Sequence, residues 1–165
     1  MSGSLLIKNR QRAISLNTRL LRTLTKALLK ELLELELFDL GIYIVQAAEM
    51  ARLNETFLHH KGSTDVITFN YSEKPTLDSR LSTLPLHGEI FICIDDAIAQ
   101  ARQFRTSWQS ELARYVIHGI LHLRGFDDIR PADRRKMKRE ENRLLREVAR
   151  LFPLRKLATN PKLAS

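Results

Sequence analysis

The most informative stretch of the sequence is His118-Gly119-Ile120-Leu121-His122-Leu123-Arg124-Gly125-Phe126-Asp127-Asp128. Its two histidines are four residues apart in a segment of helical periodicity, which places them about 6 Å apart along a helix axis and about 40° apart around it. Two imidazoles in this arrangement can bind one metal ion. A third ligand from the same helical face is hard to reach, and Gly125 stands where a helix end favours a left-handed residue. The sequence therefore predicts that the helix ends at Gly125 and that the chain turns back to bring Asp128 to the histidines.

The spacing of this stretch, His-x-x-x-His-x-x-Gly-x-x-Asp, matches the metzincin zinc signature with a carboxylate in place of the third histidine. Zinc binds histidine nitrogen and aspartate oxygen, so we expect one zinc ion per chain with His118, His122 and Asp128 as ligands. Asp127 is the alternative carboxylate, and either aspartate is also typical of a solvated or capping group ahead of a helix. Cys93 is the single cysteine, which excludes a cysteine-based metal cage and an intrachain disulfide.

The position after the first histidine bears on the reaction. Metalloproteases with this kind of motif carry a glutamate there as general base, whereas this chain has Gly119. Ordinary peptide hydrolysis is therefore disfavoured. Zinc with three protein ligands keeps an open position for water, whose pKa falls to near 7, so hydroxide is available without the glutamate. The spacing identifies no general acid or base.

The segments around the motif alternate between strand and helix patterns. Residues 89–94 form a nearly continuous apolar run, which is typical of a strand buried on both faces, and Pro131 is well placed to open a helix. Periodicity further predicts strands at 5–8, 42–45 and 65–69, and helices at about 18–38, 47–58, 95–104 and 109–124. This order indicates an α+β fold: a small, mostly mixed β-sheet of about four strands covered by about five α-helices, with the metal site at the end of a helix.

Length and composition fit one domain. The chain has 165 residues, of which 44% are hydrophobic, which is enough for one core. No repeat or linker divides it, so we expect a single domain over residues 1–153. Residues 154–165 lack periodicity and are predicted to be a loose C-terminal tail, and the polar, proline-bearing residues 72–85 are predicted to form a loop.

Charge and hydropathy limit the possible partners. Lys and Arg number 27 against 19 Asp and Glu, a formal charge of +8, which favours polyanions but does not by itself establish nucleic-acid binding. Aromatic residues make up only 7% of the chain, so no base-stacking platform is evident. No run approaches the roughly 20 apolar residues of a membrane span, and the first residues lack a signal-peptide core. We expect a cytoplasmic protein without a membrane partner.

Three motifs together resemble a known family. Residues 118–127, Ser63-Thr64-Asp65-Val66-Ile67-Thr68-Phe69 and Gly88-Glu89-Ile90 look like the YbeY family of bacterial rRNA maturation factors. That family usually has Pro-Thr-Asp-Val-Leu-Ser-Phe, Gly-Asp-Ile and the metal motif His-Gly-x-Leu-His-Leu-x-Gly-Tyr-Asp-His. The order and spacing match, and the resemblance spans roughly residues 5–148, including the helix that carries Met137 and Glu141.

The resemblance implies a zinc-dependent hydrolase with the metal in a groove. Its expected activity is that of a single-strand-specific endoribonuclease in 16S rRNA 3′-end maturation and in ribosome quality control. Expected partners are ribosomal RNA and the small ribosomal subunit, with a ribosomal protein and an assembly GTPase as further candidates. Thr64 and Asp65 become candidate groove residues, although both are also typical turn residues. Glu89 is either a partner of a ligand histidine or an edge charge.

Two positions depart from the family pattern. Asp128 replaces the family's third histidine, which zinc tolerates and which makes the site more negative. Leu58 aligns with the family's usual arginine, so a candidate phosphate-binding group is missing; His59, His60 and Lys61 are its possible substitutes. Two other functions therefore stay open: a zinc peptidase or amidase, and a non-catalytic ribosome-assembly factor with a structural metal. Three obvious ligands, where structural zinc normally has four, favour catalysis.

Overall fold

The fold is that of a computed structural model, which describes residues 3–73 and 84–159. The strands are β1 (Gly3–Asn9), β2 (Phe38–Val45), β3 (Val66–Asn70) and β4 (Leu86–Cys93). The α-helices are α1 (Thr18–Ala27), α2 (Ala47–Leu58), α3 (Ile94–Phe104), α4 (Trp108–Leu123) and α5 (Pro131–Leu151). A π-helical turn, Leu28–Leu32, continues α1, and a 3-10 helix, Leu154–Leu157, follows α5. The predicted α+β fold with a small mixed sheet is confirmed.

The four strands form one sheet in the order β1-β2-β4-β3. β1, β2 and β4 run parallel, and β3 is antiparallel to β4. The two central strands are apolar: Ile42, Ile44, Ile90 and Ile92 are fully buried. The predicted buried strand is confirmed, since β4 has neighbours on both edges and apolar partners on both faces. Its bounds differ from the predicted 89–94, because it begins at Leu86 and Ile94 is already the first residue of α3.

Helix α4 lies directly on this sheet and carries the predicted metal ligands. Its apolar face, which includes Leu112, Val116 and Ile120, is buried in the main core. The end of α4 is tied to the end of β3, because the Asn70 side-chain amide donates a hydrogen bond to the Leu123 carbonyl oxygen (3.2 Å). α3 and α5 both pack against α4, so the site lies on a helix held by the sheet and two further helices.

The prediction that the first helix extends to about Phe38 is wrong. Helical structure ends at Leu32, Glu34 has a φ of 53°, and Phe38 is already the first residue of β2. The leucine periodicity continues to Leu35 because the connecting loop buries that side chain (4% exposed) in the same core. The strand predicted at 42–45 begins earlier, at Phe38, so that Gly41 lies within β2.

The predicted loose tail differs from the structure over residues 154–159. Leu157 is fully buried, and its carbonyl oxygen accepts a hydrogen bond from the Asn17 N–H (2.7 Å). The Thr159 N–H donates to the Ser15 carbonyl oxygen (3.1 Å), so this segment packs against the chain that precedes α1. Leu154, which is partly buried, packs against the same core as Leu157, and two apolar residues are too few to show a periodicity. Residues 160–165 of the predicted tail lie outside the described residues.

Two further expectations concern the loop and the membrane. Residues 72–73 and 84–85 of the predicted loop belong to no strand or helix, and residues 74–83 lie outside the described residues. None of the helices within 3–73 and 84–159 combines the length and apolarity that a membrane span requires.

Candidate metal centre

The structure brings the three predicted ligand residues together. The Nε2 atoms of His118 and His122, both on α4, lie 3.1 Å apart. The Asp128 Oδ2 atom lies 3.7 Å from His118 Nε2 and 3.6 Å from His122 Nε2. All three side chains are partly exposed, so the cluster is open to ligands from solvent.

The return of Asp128 towards the histidines depends on how α4 ends. Gly125 has a φ of 97°, a left-handed conformation that glycine adopts without a Cβ clash. Its N–H donates to the His122 carbonyl oxygen, and the Phe126 N–H donates to the Leu121 carbonyl oxygen, both at 3.0 Å. This pair of bonds is the Schellman motif, which reverses the chain immediately after the helix.

The two neighbouring aspartates have different surroundings. Asp127 Oδ1 accepts hydrogen bonds from the N–H groups of Asp128 (2.7 Å) and Ile129 (3.1 Å), so Asp127 stabilises the turn. Asp128 points at the histidines, and Arg134 of α5 donates to the carbonyl oxygens of Asp128 (3.1 Å) and Ile129 (3.2 Å). Of the two alternatives, the geometry therefore favours Asp128 as the metal-facing carboxylate.

The three ligand atoms fit a tetrahedral metal ion. Zinc–ligand distances of about 2.0–2.2 Å place tetrahedral ligand atoms about 3.3–3.6 Å from one another. The separations here, 3.1, 3.6 and 3.7 Å, bracket that range. Two imidazole nitrogens and one carboxylate oxygen are also donors that zinc accepts, and three ligands leave one position open.

A fourth residue, Glu141 of α5, contacts the ring nitrogen of His118 that is turned away from the cluster, Nδ1. It is only 4% exposed, and its Oε2 atom lies 2.8 Å from His118 Nδ1. Burial raises the pKa of Glu141, but its hydrogen bonds with His118 and Arg114 outweigh this and the net pKa is lowered. An ionised carboxylate can only accept a hydrogen bond, so it favours the tautomer of the neutral imidazole that has its proton on Nδ1 and leaves Nε2 free for a metal.

Burial and the negative charges around His118 shift its pKa in opposite directions. Burial lowers the pKa of His118, whereas the hydrogen bond and negative charge of Glu141 raise it, as do the charges of Asp65 and Asp128, and the net shift is upward. Arg114 balances the buried carboxylate: its Nη1 lies 2.8 Å from Glu141 Oε1 and 2.7 Å from Asn142 Oδ1. The site therefore has a continuous chain of contacts from Arg114 through Glu141 to His118.

Sequence reasoning did not assign this role to Glu141. The available signal was its position: Glu141 shares helical spacing with the buried Met137, Leu144 and Val148, which puts a carboxylate on the apolar face of α5. A charged residue on such a face needs a partner, but the sequence does not say which one.

Of the candidate groove residues Thr64, Asp65 and Glu89, only Asp65 lines the groove of the metal cluster. Asp65 lines the same groove as His118, and its Oδ1 accepts hydrogen bonds from the Thr64 hydroxyl (3.2 Å) and the Val66 N–H (2.8 Å). Glu89 instead accepts a hydrogen bond from the Tyr71 hydroxyl (2.8 Å). The carboxylate that contacts a ligand histidine is that of Glu141. Glu89 lies within the central strand β4, opposite Gly41 and Phe69, and so is not at an edge of the sheet.

The groove beside the metal cluster is a cavity of about 660 Å³. α3, α4 and α5 all contribute to its lining, together with Asp65 and Asp128. Three basic residues of α5 line it, Arg134, Arg135 and Lys138. Leu58, at the place of the family arginine, is not among the lining residues, so the basic groups of this groove come from α4 and α5.

Position 119 is closed by packing. A Cβ atom on Gly119 would lie 2.7 Å from Cγ2 and 2.9 Å from Cδ1 of Ile90, which is fully buried in β4. Any side chain at this position would therefore meet the sheet. The glutamate that metalloproteases carry after the first histidine has no room here while α4 stays on β4.

The part of the chain that carries this site is similar to known proteins. Residues 6–149 match a family model described as Endoribonuclease YbeY. The Endoribonuclease YbeY of Salinibacter ruber is 37% identical over 112 residues, 68% of this chain and 71% of the relative. That of Chlorobium phaeovibrioides is 34% identical over 140 residues, 81% of this chain and 88% of the relative. The solution structure of TM1509 from Thermotoga maritima matches with a TM-score of 0.60 at 26% identity, over 87% of this chain and 88% of that one.

Proposed function

Because the chain belongs to the Endoribonuclease YbeY family, we propose that it is a metal-dependent endoribonuclease that hydrolyses phosphodiester bonds of single-stranded RNA. We assign its work to maturation of the 3′ end of 16S ribosomal RNA and to ribosome quality control. The observation that carries the proposal is the cluster of His118, His122 and Asp128. It lies beside a groove to which α5 contributes three basic residues, Arg134, Arg135 and Lys138.

The proposed cofactor is one zinc ion per chain, with His118 Nε2, His122 Nε2 and the Asp128 carboxylate as ligands. When bound, zinc supplies Lewis-acid chemistry, which lowers the pKa of water and neutralises charge on phosphoryl oxygens. The chain's own residues prepare the site. Glu141 keeps the His118 proton on Nδ1, and Asp127 and Arg134 hold the turn that presents Asp128.

Other groove residues have proposed roles toward RNA. Arg135 and Lys138 are exposed cations in the groove and are suited to phosphate contacts. Among the candidates Thr64, Asp65 and Glu89, the position of Asp65 in the groove supports a role in proton transfer, with Thr64 orienting it through their hydrogen bond. The contact of Glu89 with Tyr71 gives Glu89 no such support.

The proposed partners are ribosomal RNA and the small ribosomal subunit, with a ribosomal protein and an assembly GTPase as further candidates. The formal charge of +8 supports a polyanionic partner. The proposal puts this activity in the cytoplasm, where ribosomal subunits are assembled.

The first test measures metal content and RNA cleavage on the same preparations. Purified protein, His118→Ala, His122→Ala and Asp128→Asn are examined by metal mass spectrometry and with a single-stranded RNA that carries the 3′ end of 16S ribosomal RNA. We expect about one zinc per chain and metal-dependent cleavage in the unmutated protein, and loss of both in the variants. Asp127→Asn is the matched control, because its amide oxygen can still accept the turn hydrogen bonds.

Other outcomes separate the alternative functions. Zinc without RNA cleavage, together with unchanged ribosome association in His118→Ala, would favour an assembly factor with a structural metal. Metal-dependent cleavage of a peptide library that is lost in His122→Ala would favour a peptidase or amidase. Absence of bound metal after zinc is supplied would contradict the metal-dependent mechanism.

A further inference from the structure

Phe104, the last residue of α3, is an exposed aromatic residue in the groove of the metal cluster. It is 62% exposed and lines the same cavity as His118 and Asp128. Among the described residues it belongs to neither hydrophobic cluster and to none of the aromatic ring pairs. Packing within the protein therefore does not account for a large apolar ring at this place.

The backbone around Phe104 is well held. Arg105 ends α3 with a φ of 55°, and the Thr106 N–H donates to the Ala101 carbonyl oxygen (2.9 Å). The Thr106 hydroxyl donates to Glu111 Oε1 (2.8 Å), which connects this corner to α4. An aromatic side chain has only two rotatable χ angles, so a ring on a fixed corner loses little conformational entropy when it binds a ligand.

The same groove supplies positive charge from another helix. Arg135 and Lys138 of α5 line it, and neither takes part in an ion pair between described residues. Proteins bind single-stranded nucleic acid with aromatic faces and cations in one groove, since bases stack on the ring and phosphates meet the cations. The cavity of about 660 Å³ is within the range of ligand sites.

We propose that Phe104 is a base-stacking residue that binds an unpaired nucleobase of the RNA substrate beside the metal cluster. This inference rests on the proposed function. Inside a duplex both faces of a base are covered by its neighbours, so within a strand the ring can stack only on an unpaired base. Phe104 would thereby contribute to a preference for single-stranded RNA.

The test separates base stacking from phosphate binding and from metal chemistry. Binding is measured by fluorescence anisotropy in a His122→Ala background with a chelator present, so that no RNA is cleaved. The probes are a labelled oligoadenylate and an abasic ribose-phosphate oligomer of the same length and charge. The variants are Phe104→Ala and Phe104→Trp, and Phe57→Ala is the matched control, because Phe57 is 56% exposed but does not line the groove.

We expect Phe104→Ala to weaken oligoadenylate binding about 5- to 150-fold and to leave abasic binding unchanged. Phe104→Trp should bind oligoadenylate at least as tightly as the parent, and Phe57→Ala should match the parent. Equal loss for both probes, equal loss in Phe57→Ala, or no loss in Phe104→Ala would overturn the proposal. The proposal would also be overturned if the His122→Ala parent did not bind oligoadenylate. The proposed function is decided separately, by the zinc content and RNA cleavage of the unmutated chain.

Discussion

Glu141 connects a buried ion pair to an exposed cluster of candidate metal ligands. Its carboxylate is shared between His118 and Arg114, so its charge is balanced although the side chain is buried. An uncompensated buried charge is costly, and the guanidinium of Arg114 supplies the permanent positive charge that prevents it. The contacts of Glu141 therefore have two effects: they favour one tautomer of His118, and they balance a buried charge.

We predict that Glu141→Gln weakens zinc binding about 10- to 100-fold, because a neutral amide holds the His118 tautomer less strongly and makes the imidazole a poorer donor. Competition with a chromophoric chelator measures the affinity. Glu140→Gln is the matched control, since Glu140 is the neighbouring residue and pairs with Arg143. Equal affinities of the two variants would show that Glu141 has no role toward the metal.

At the scale of single residues, the sequence predicted the local part of the site. His118, His122 and Asp128 lie within eleven residues, and helical geometry with one turn is sufficient to bring them together. Glu141 and Asp65 are brought to the site by the packing of α5 on α4 and by the turn before β3. Such packing is a property of the whole fold, and no local spacing encodes it.

Helix α4, which carries the two histidines, packs closely against strand β4 at Gly119. We predict that Gly119→Ala lowers the free energy of unfolding by about 1–3 kcal/mol, because the added methyl group overlaps Ile90. Urea denaturation measures the change. In an Ile90→Ala background the same substitution should be neutral or stabilising, because alanine is the better helix former by about 1 kcal/mol. Additive effects of the two changes would contradict this contact.

The end of α4 gives a second prediction at this scale. Gly125→Ala and Gly62→Ala both place a Cβ at positive φ, 97° and 86°, with no atom within 4 Å. Each should lower the free energy of unfolding by about 1–2 kcal/mol through backbone strain alone. Only Gly125→Ala should also weaken zinc binding, because the turn after Gly125 presents Asp128. Calorimetric zinc titration distinguishes them, and equal affinities would show that the turn is not needed to position the ligand.

Elements with their own periodicity were predicted well. α2 has the bounds that the pattern predicts, residues 47–58, because its flanking signals are local. The first helix was extended too far because Leu35 is buried from a loop and so imitates another helical turn. Burial alone does not distinguish a helix from a loop that folds over the same core.

At the scale of the molecule, the segment after α5 completes the core around α1. We predict that Leu157→Ala lowers the free energy of unfolding by about 2–5 kcal/mol, because it empties a fully buried position. Leu151→Ala is the control, since Leu151 is 42% exposed and should cost far less. Thermal or urea unfolding measures both. A small effect of Leu157→Ala would restore the prediction of a loose tail.

The fold class followed from the sequence, whereas the strand order did not. Alternating strand and helix patterns predict a small sheet covered by helices whichever way the strands pair. The order β1-β2-β4-β3 joins strands that are distant in sequence, such as Phe38 with Leu86, and depends on which apolar faces meet. The site depends on this order, because β4 is the strand on which α4 rests.

The close approach of Gly119 to Ile90 also limits which new activities the scaffold can acquire by mutation. A change of Gly119 to glutamate alone would push α4 off β4 and disturb the histidines that the new base was meant to serve. A shortened residue 90 would have to come first, and by itself it only destabilises the protein. An evolutionary path from this nuclease scaffold to a peptidase therefore crosses a fitness valley, and selection for peptide cleavage by single substitutions should fail unless residue 90 is varied together with residue 119.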